Sequence, residues 1–339
     1  MSIYGPVRQR PKRNAAKNGK KFINKDHSDK NMLVTIRVRP LSEQEITNKI
    51  FDIVSVEDKL LIVRDKAEII YEQDGTKPDV LHRSKEQRYY FDKIFKDVTQ
   101  QEVYSNTCLH LIEPLTQGYN ACVFAYGTTG SGKTHTMIGT KENPGIDVLI
   151  IDDIFSTINQ DDEYAYEIKI SYVEIYNEII RDLLVVKSKE TYLDLRDDPI
   201  KGVQLSGVKE YTVRNGTEVM KLLHEGNKRR TTEATNANQT SSRSHAIFQI
   251  QINKKERTAD TEKEILAGKL SLIDLAGSER GTVTENTGIR LREGAKINTS
   301  LLALANCINA LGDKTKKGFY VSYRDSKLTR MLKDSLGGN

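Results

Sequence analysis

The chain has 339 residues, 37% of them hydrophobic and 29% charged, with a formal net charge of +5. That is the balance of a soluble globular protein of one large domain or two ordinary ones, folded around a real core. No apolar run approaches the roughly 18 to 20 residues of a membrane span, and no apolar stretch opens the chain as a secretory signal would, so a spanning or secreted protein is excluded and an intracellular one is expected.

Residues 1–30 carry nine Lys/Arg against two Asp, so the basic excess sits in a tail and the remainder sums to −2. The tail is poor in apolar residues and shows no periodicity, which predicts disorder; such a basic arm suits nucleic acid, an anionic membrane or an acidic protein surface, or is simply a solvated leader. The folded region opens at residue 31 with a strand in "MLVTIRVRP", stopped by Pro40. Residues 64–89, with the turn chemistry "EQDGTKPD", read as an excursion from the sheet, a hairpin with a loose tip. "RYYFDKIF" resumes the apolar pattern, and 99–117 suits one helix. A strand at 121–126, a helix after Lys133 and strands at 166–176, 246–252 and 267–276 follow. Beyond them come a polar loop, "TVTENTGIRLREG", and a helix over 296–311. Strands interleaved with helices predict a three-layer α/β domain with a largely buried sheet, and no internal repeat is present. Cys108, Cys122 and Cys307 are far apart in apolar or helical surroundings, so they read as reduced and buried rather than as a disulfide or zinc framework.

The strongest chemical signal follows the strand at 121–126. "GTTGSGKT" (Gly127, Thr128, Thr129, Gly130, Ser131, Gly132, Lys133, Thr134) fits G-x-x-x-x-G-K-[ST] in the strand-to-helix context that a phosphate loop requires. Its glycines let successive backbone N–H groups turn toward phosphate oxygens, Lys133 reaches the outer phosphates, and the Thr134 hydroxyl suits Mg²⁺. In "LSLIDLAGSER", Asp274 ends an apolar strand and Gly277 follows at D-x-x-G spacing: a carboxylate for the metal and an amide for the terminal phosphate. The polar run "NQTSSRSH" before the strand at 246 has the hydroxyls of a second phosphate-sensing loop, with Arg243 able to pair with Glu279. His245 reads as structural.

With "RVRP", "AYGTTGSGKTHTM", "NQTSSRSHAIF", "LIDLAGSER", "INTSLLALANCINAL" and "YRDSKLTRMLKDSLGGN" in this order, residues 31–339 resemble a kinesin motor domain. The resemblance implies a three-layer P-loop NTPase fold with a central mixed, mostly parallel sheet flanked by helices. It also implies a microtubule-stimulated ATPase using ATP and Mg²⁺. Carried over to this chain, Arg37, Arg39 and Pro40 line the adenine side with His135 nearby. Ser241 and Ser242 contact phosphate and metal, Gly277 supplies the second-switch amide, Arg243 and Glu279 form the bridge that closes the site, and Asn298 lies close to it.

Residues 312–333 hold seven Lys/Arg against two Asp, a basic patch suited to an acidic partner. In the light of the resemblance, Lys314, Lys316, Lys317, Arg324, Lys327 and Arg330 are the expected tubulin contacts. "GNKRRTTEATNANQTSSRSHAIFQI" and the 64–89 excursion resemble the kinesin-8 class most. That adds shortening of microtubule ends to motility as an expectation, and the excursion as an extra tubulin contact. Work in the cytoplasm on the cytoskeleton follows, at a spindle or axoneme. The family pattern continues past "SLGGN" into a last strand, a last helix and a neck linker, so a C-terminally incomplete motor domain, with any dimerisation elsewhere, is expected. The rival readings are a motile kinesin without depolymerase activity, a GTPase, a nucleic-acid-binding ATPase and a non-catalytic microtubule binder. No guanine-reading N-K-x-D occurs, no nucleic-acid reader motif is seen, and each expected catalytic position is filled.

Overall fold

The computed structural model describes residues 32–64, 86–186, 192–198, 202–236, 242–257, 265–279, 289–312 and 320–337, with 231–236 and 289–295 described by backbone alone. The basic tail, residues 65–85 of the excursion, Ser241 and Lys314, Lys316 and Lys317 lie outside the described residues.

The chain enters through β1 (Thr35–Val38), α1 (Glu43–Thr47), β2 (Val54–Glu57), β3 (Leu60–Val63), β4 (Gln87–Tyr90) and β5 (Lys93–Lys96). β2, β3 and β4 make a small antiparallel sheet, and the excursion leaves from its β3–β4 pair, where Val63 faces Gln87. β1 runs parallel to β5. Where the sequence predicts one helix over 99–117, α2 (Gln100–Thr107) and α3 (Ile112–Thr116) are separated by a 3₁₀ turn over Leu109–Leu111. Pro114 is the cause. In a continuous helix its ring would press on the carbonyl four residues back. In the first turn of α3 its missing N–H costs nothing.

Next come β6 (Ala121–Ala125), α4 (Lys133–Met137), α5 (Ile146–Asn159), β7 (Tyr164–Tyr176), β8 (Ile179–Asp182), β9 (Asp194–Asp198), β10 (Gly202–Ser206) and β11 (Tyr211–Val213). The chain closes with α6 (Gly216–Asn236), β12 (His245–Glu256), β13 (Leu266–Asp274), α7 (Ile289–Gly312), α8 (Lys327–Met331) and α9 (Lys333–Gly337). The helix expected over 296–311 thus begins seven residues earlier, inside the predicted polar loop. Arg, Leu, Glu, Ala and Lys there all favour helix, and their polarity had read as a loop.

The central sheet has the order β11-β7-β12-β13-β6, with β8 on β7. Among the described residues it is mixed, as expected, but not mostly parallel: β11–β7, β7–β8, β7–β12 and β12–β13 are antiparallel, and β13–β6 is parallel. β12 and β13 are joined by a connection too short for a crossover, whereas β6 and β13 are separated by most of the domain.

Strand alternation sorts the core onto two faces. Val123, Tyr172, Phe248, Ile250, Leu270 and Leu272 pack with Ile150, Ile151 and Ile154 of α5 and Leu223 of α6. Phe124, Val173, Ile175, Ile247 and Ile273 pack with Leu301 and Leu304 of α7 and Leu328, Leu332 and Leu336 beyond it. Those are the three layers.

Register then fixes where the site lies. Asp274 at the end of β13 is paired with Ala125 at the end of β6 and with Ala246 at the start of β12. The loop after β6, the loop before β12 and the loop after β13 therefore meet at one edge, outside the carboxyl ends of the parallel pair.

Candidate nucleotide site

β6 is buried at all five positions and delivers the chain into the glycine loop. Gly130 (φ 77°) and Gly132 (φ 89°) take left-handed backbone angles that disfavour any side chain, and α4 starts directly after. The Lys133 ammonium donates to the carbonyls of Gly127 and Thr128, both at 2.9 Å. Burial lowers its pKa, against the raising effect of Asp274 and Glu279.

The Thr134 hydroxyl donates to Asp274 Oδ2 at 2.8 Å. Asp274 Oδ1 is buried with no hydrogen-bond partner among the described residues. A threonine hydroxyl beside an orphaned carboxylate oxygen is a hard oxygen donor set, which fits Mg²⁺. No cluster of three or more His, Cys, Asp or Glu suited to a metal occurs among the described residues.

The three loops are tied to one another. The Gly277 N–H donates to the Ser242 carbonyl at 2.7 Å, and the Ser278 N–H donates to the Gly127 carbonyl at 3.1 Å. The Glu279 carboxylate accepts from the Thr129 N–H (2.9 Å) and hydroxyl (2.5 Å). Burial pushes its pKa up, but the Thr129 hydrogen bonds outweigh that and the net direction is down. Glu279 is therefore placed on the phosphate loop itself, a contact the sequence reading, which paired it with Arg243, did not foresee. A Cβ on Gly277 would lie 2.3 Å from Glu279 Oε2 and 2.4 Å from Thr129 Oγ1, so any side chain there would force this pair apart.

On the adenine side, Arg37 Nη1 donates to Gln100 Oε1 and, at 3.0 Å, to Thr136 Oγ1. Gln100 Nε2 donates to the His135 carbonyl at 2.5 Å. Burial lowers the pKa of His135, and Arg37 lowers it further. Arg37 and His135 are thus brought together, by a buried glutamine at the start of α2 that no sequence motif marked. Arg39 goes elsewhere: its described hydrogen bonds reach Glu45 (2.6 and 2.7 Å) and the Pro40 carbonyl, on the exposed capping box of α1.

Behind the loops lies a buried polar layer that the sequence did not reveal. Arg230 of α6 donates to Asp274 Oδ2 at 2.7 Å and to the Ser244 carbonyl at 3.1 Å, with Glu174 of β7 at 3.9 Å. Burial and then the charge of Asp274 hold Asp147 well above the usual carboxylate range. His245 accepts from the Ala276 N–H at Nδ1 (3.1 Å), so its Nε2–H donates to Ser300 Oγ at 2.8 Å. Burial, then Arg230 and Lys133, depress its pKa to about 3. Asn298 stands half-buried on α7, two residues before Ser300. Arginines and carboxylates spread over four elements carry no local spacing, which is why this layer was missed.

On the opposite helical layer, Arg330 and Arg324 reach Asp197 of β9 at 3.0 and 3.8 Å, and the Lys327 backbone N–H donates to Glu178 at 2.8 Å. One of the expected polymer-binding cations, Arg330, is therefore also hydrogen-bonded to β9.

A buried phosphate-loop strand, a metal-suited Thr/Asp pair and two further loops, bonded to each other and through one of them to the phosphate loop, define a P-loop nucleotide-binding domain. A family model described as kinesin motor domain matches residues 37–339, and the chain belongs to that family. It is 47% identical over 319 residues to the kinesin-like protein KIF19 of Homo sapiens, covering 93% of this chain and 31% of that protein. It is 43% identical to the kinesin-like protein KIF18B of Gallus gallus, covering 92% and 39%. These relatives are of the kinesin-8 class, and this chain spans about a third of their length. Among solved structures, the KIF14 motor region with ADP in complex with a microtubule superposes with a TM-score of 0.77 at 34% identity, over 90% of this chain and 85% of that one.

Proposed function

We propose that this chain binds ATP with Mg²⁺, hydrolyses it, and exchanges that energy for changes in grip on a microtubule. The observation that carries the reading is the bonding of the second switch segment both to the first, Gly277 to Ser242, and to the phosphate loop, Ser278 to Gly127 and Glu279 to Thr129. Thr134, Asp274 and Ser242 would hold the Mg²⁺, which when bound neutralises phosphate oxygens. Lys133 exchanges its two loop carbonyls for phosphate oxygens. The Gly277 N–H exchanges the Ser242 carbonyl for the terminal phosphate, and Glu279, released from Thr129, pairs with Arg243 over the attacking water. Ser241 and Asn298 serve the same closed arrangement.

Coupling to the polymer runs through His245, which bonds the second switch at Ala276 and α7 at Ser300. A displacement after β13 is thereby felt by the helix leading to the basic segment at 314–330. Likeness to kinesin-8 relatives supports shortening of microtubule ends beside motility, on the cytoskeleton of spindle or axoneme.

Steady-state ATPase with and without microtubules tests the reading. Stimulation by polymer is expected, whereas stimulation by DNA, or no turnover, would refute it.

A further inference from the structure

Arg230 has no role in the reading above, yet it is 4% exposed and sits against the carboxylate expected to hold the metal. Asp274 Oδ2 accepts from both Arg230 (2.7 Å) and Thr134 (2.8 Å), while Oδ1 is buried without a hydrogen-bond partner among the described residues. The second arm of the same guanidinium holds the Ser244 carbonyl, two residues after Ser242 of the first switch. Its third neighbour, Glu174, comes from β7. A guanidinium keeps its charge at every accessible pH, and its planar fork lets one side chain serve all three elements.

We infer that Arg230 is a positioning residue that competes with the divalent cation for Asp274, and so sets how readily Mg²⁺ and nucleoside diphosphate leave together. The inference rests on the nucleotide reading above. Two positive charges that share one carboxylate repel each other across a few ångströms of low-dielectric interior, so the carboxylate is available to either only in part. The link to Ser244 adds a direction: when Asp274 turns toward the cation, the guanidinium keeps its hold on the start of β12. First switch and metal carboxylate are thereby separated by one side-chain motion. An arginine serving packing alone would stabilise the fold without touching cation affinity.

The test loads the full chain with a fluorescent ADP and follows its release across a series of free Mg²⁺ concentrations. Arg230→Gln is expected to lower the Mg²⁺ concentration for half-retention by about tenfold, because Asp274 no longer shares its charge. Arg230→Lys, which keeps the charge, is expected to stay within about threefold of the parent chain. Since Arg230→Gln strands Glu174, the pair Arg230→Gln/Glu174→Gln is measured beside it, with thermal melting to verify folding; the same downward shift is expected. A folded variant with unchanged or raised Mg²⁺ demand overturns the inference while leaving the nucleotide reading intact. A parent chain that retains no labelled ADP at any Mg²⁺ concentration overturns both.

Discussion

His245 Nε2 and Ser300 Oγ are 2.8 Å apart in the buried seam between the nucleotide edge of the sheet and α7. Because the Ala276 N–H claims Nδ1, the imidazole is a neutral, fixed-tautomer link between the second switch and the helix below it. Ser300→Ala leaves the Nε2–H unpaired and should lower stability by about 1–3 kcal/mol. If the link also carries coupling, basal turnover survives while microtubule stimulation falls severalfold; undiminished stimulation would show that coupling takes another route.

The same histidine makes a pH prediction. Its folded pKa is depressed to about 3 by burial, against about 6.5 when unfolded. Below 6.5 the unfolded chain takes up a proton that the folded chain refuses. The contribution is therefore whole above pH 6.5 and declines as pH falls toward 3. His245→Gln should flatten the melting temperature across that window, and an acid limb as steep as the parent's would contradict the assignment.

Lys133→Ala removes the cation that spans the loop carbonyls and should abolish binding of labelled ADP or ATP. Arg243→Ala should leave binding near the parent value and stop hydrolysis, measured as phosphate release. Normal turnover in the second variant would remove Arg243 from the closing bridge.

Gly277→Ala would push a methyl group into Glu279 Oε2 and Thr129 Oγ1, at 2.3 and 2.4 Å. Both atoms end side chains, so the fold should survive, with a loss of about 1–3 kcal/mol from crowding. The contact between second switch and phosphate loop should not. Expected is retained ADP binding with turnover near zero, because the methyl group crowds the point where the Gly277 N–H must meet the terminal phosphate; wild-type turnover would mean that this close approach is dispensable.

Gln100→Ala deletes the group joining Arg37 to the His135 carbonyl and leaves buried polar atoms unpaired. Nucleotide affinity is expected to fall roughly tenfold, the scale of one or two such bonds. Equal losses for ATP and for inorganic triphosphate would place Gln100 away from the base.

What the sequence determined by itself are the contiguous features. The phosphate loop is a run of eight residues whose glycines and lysine act together wherever the chain goes, and Asp274 and Gly277 are likewise set by local spacing beside a buried strand. The strand and helix layers were legible because apolar periodicity is a local property. The sense of strand pairing was not, because it depends on how strands distant in sequence are connected.

Only the tertiary structure decided which polar groups share the interior. Arg230, Glu174, Asp147 and Gln100 look in sequence like any charged or polar residues on amphipathic elements, and Arg39 looks as suited to the adenine side as Arg37. A buried charge must find its partners wherever the packing of sheet and helices puts them, at the end of β13 for Arg230 and across α2 for Arg37. That convergence is a property of register and helix placement, which no single stretch of chain contains.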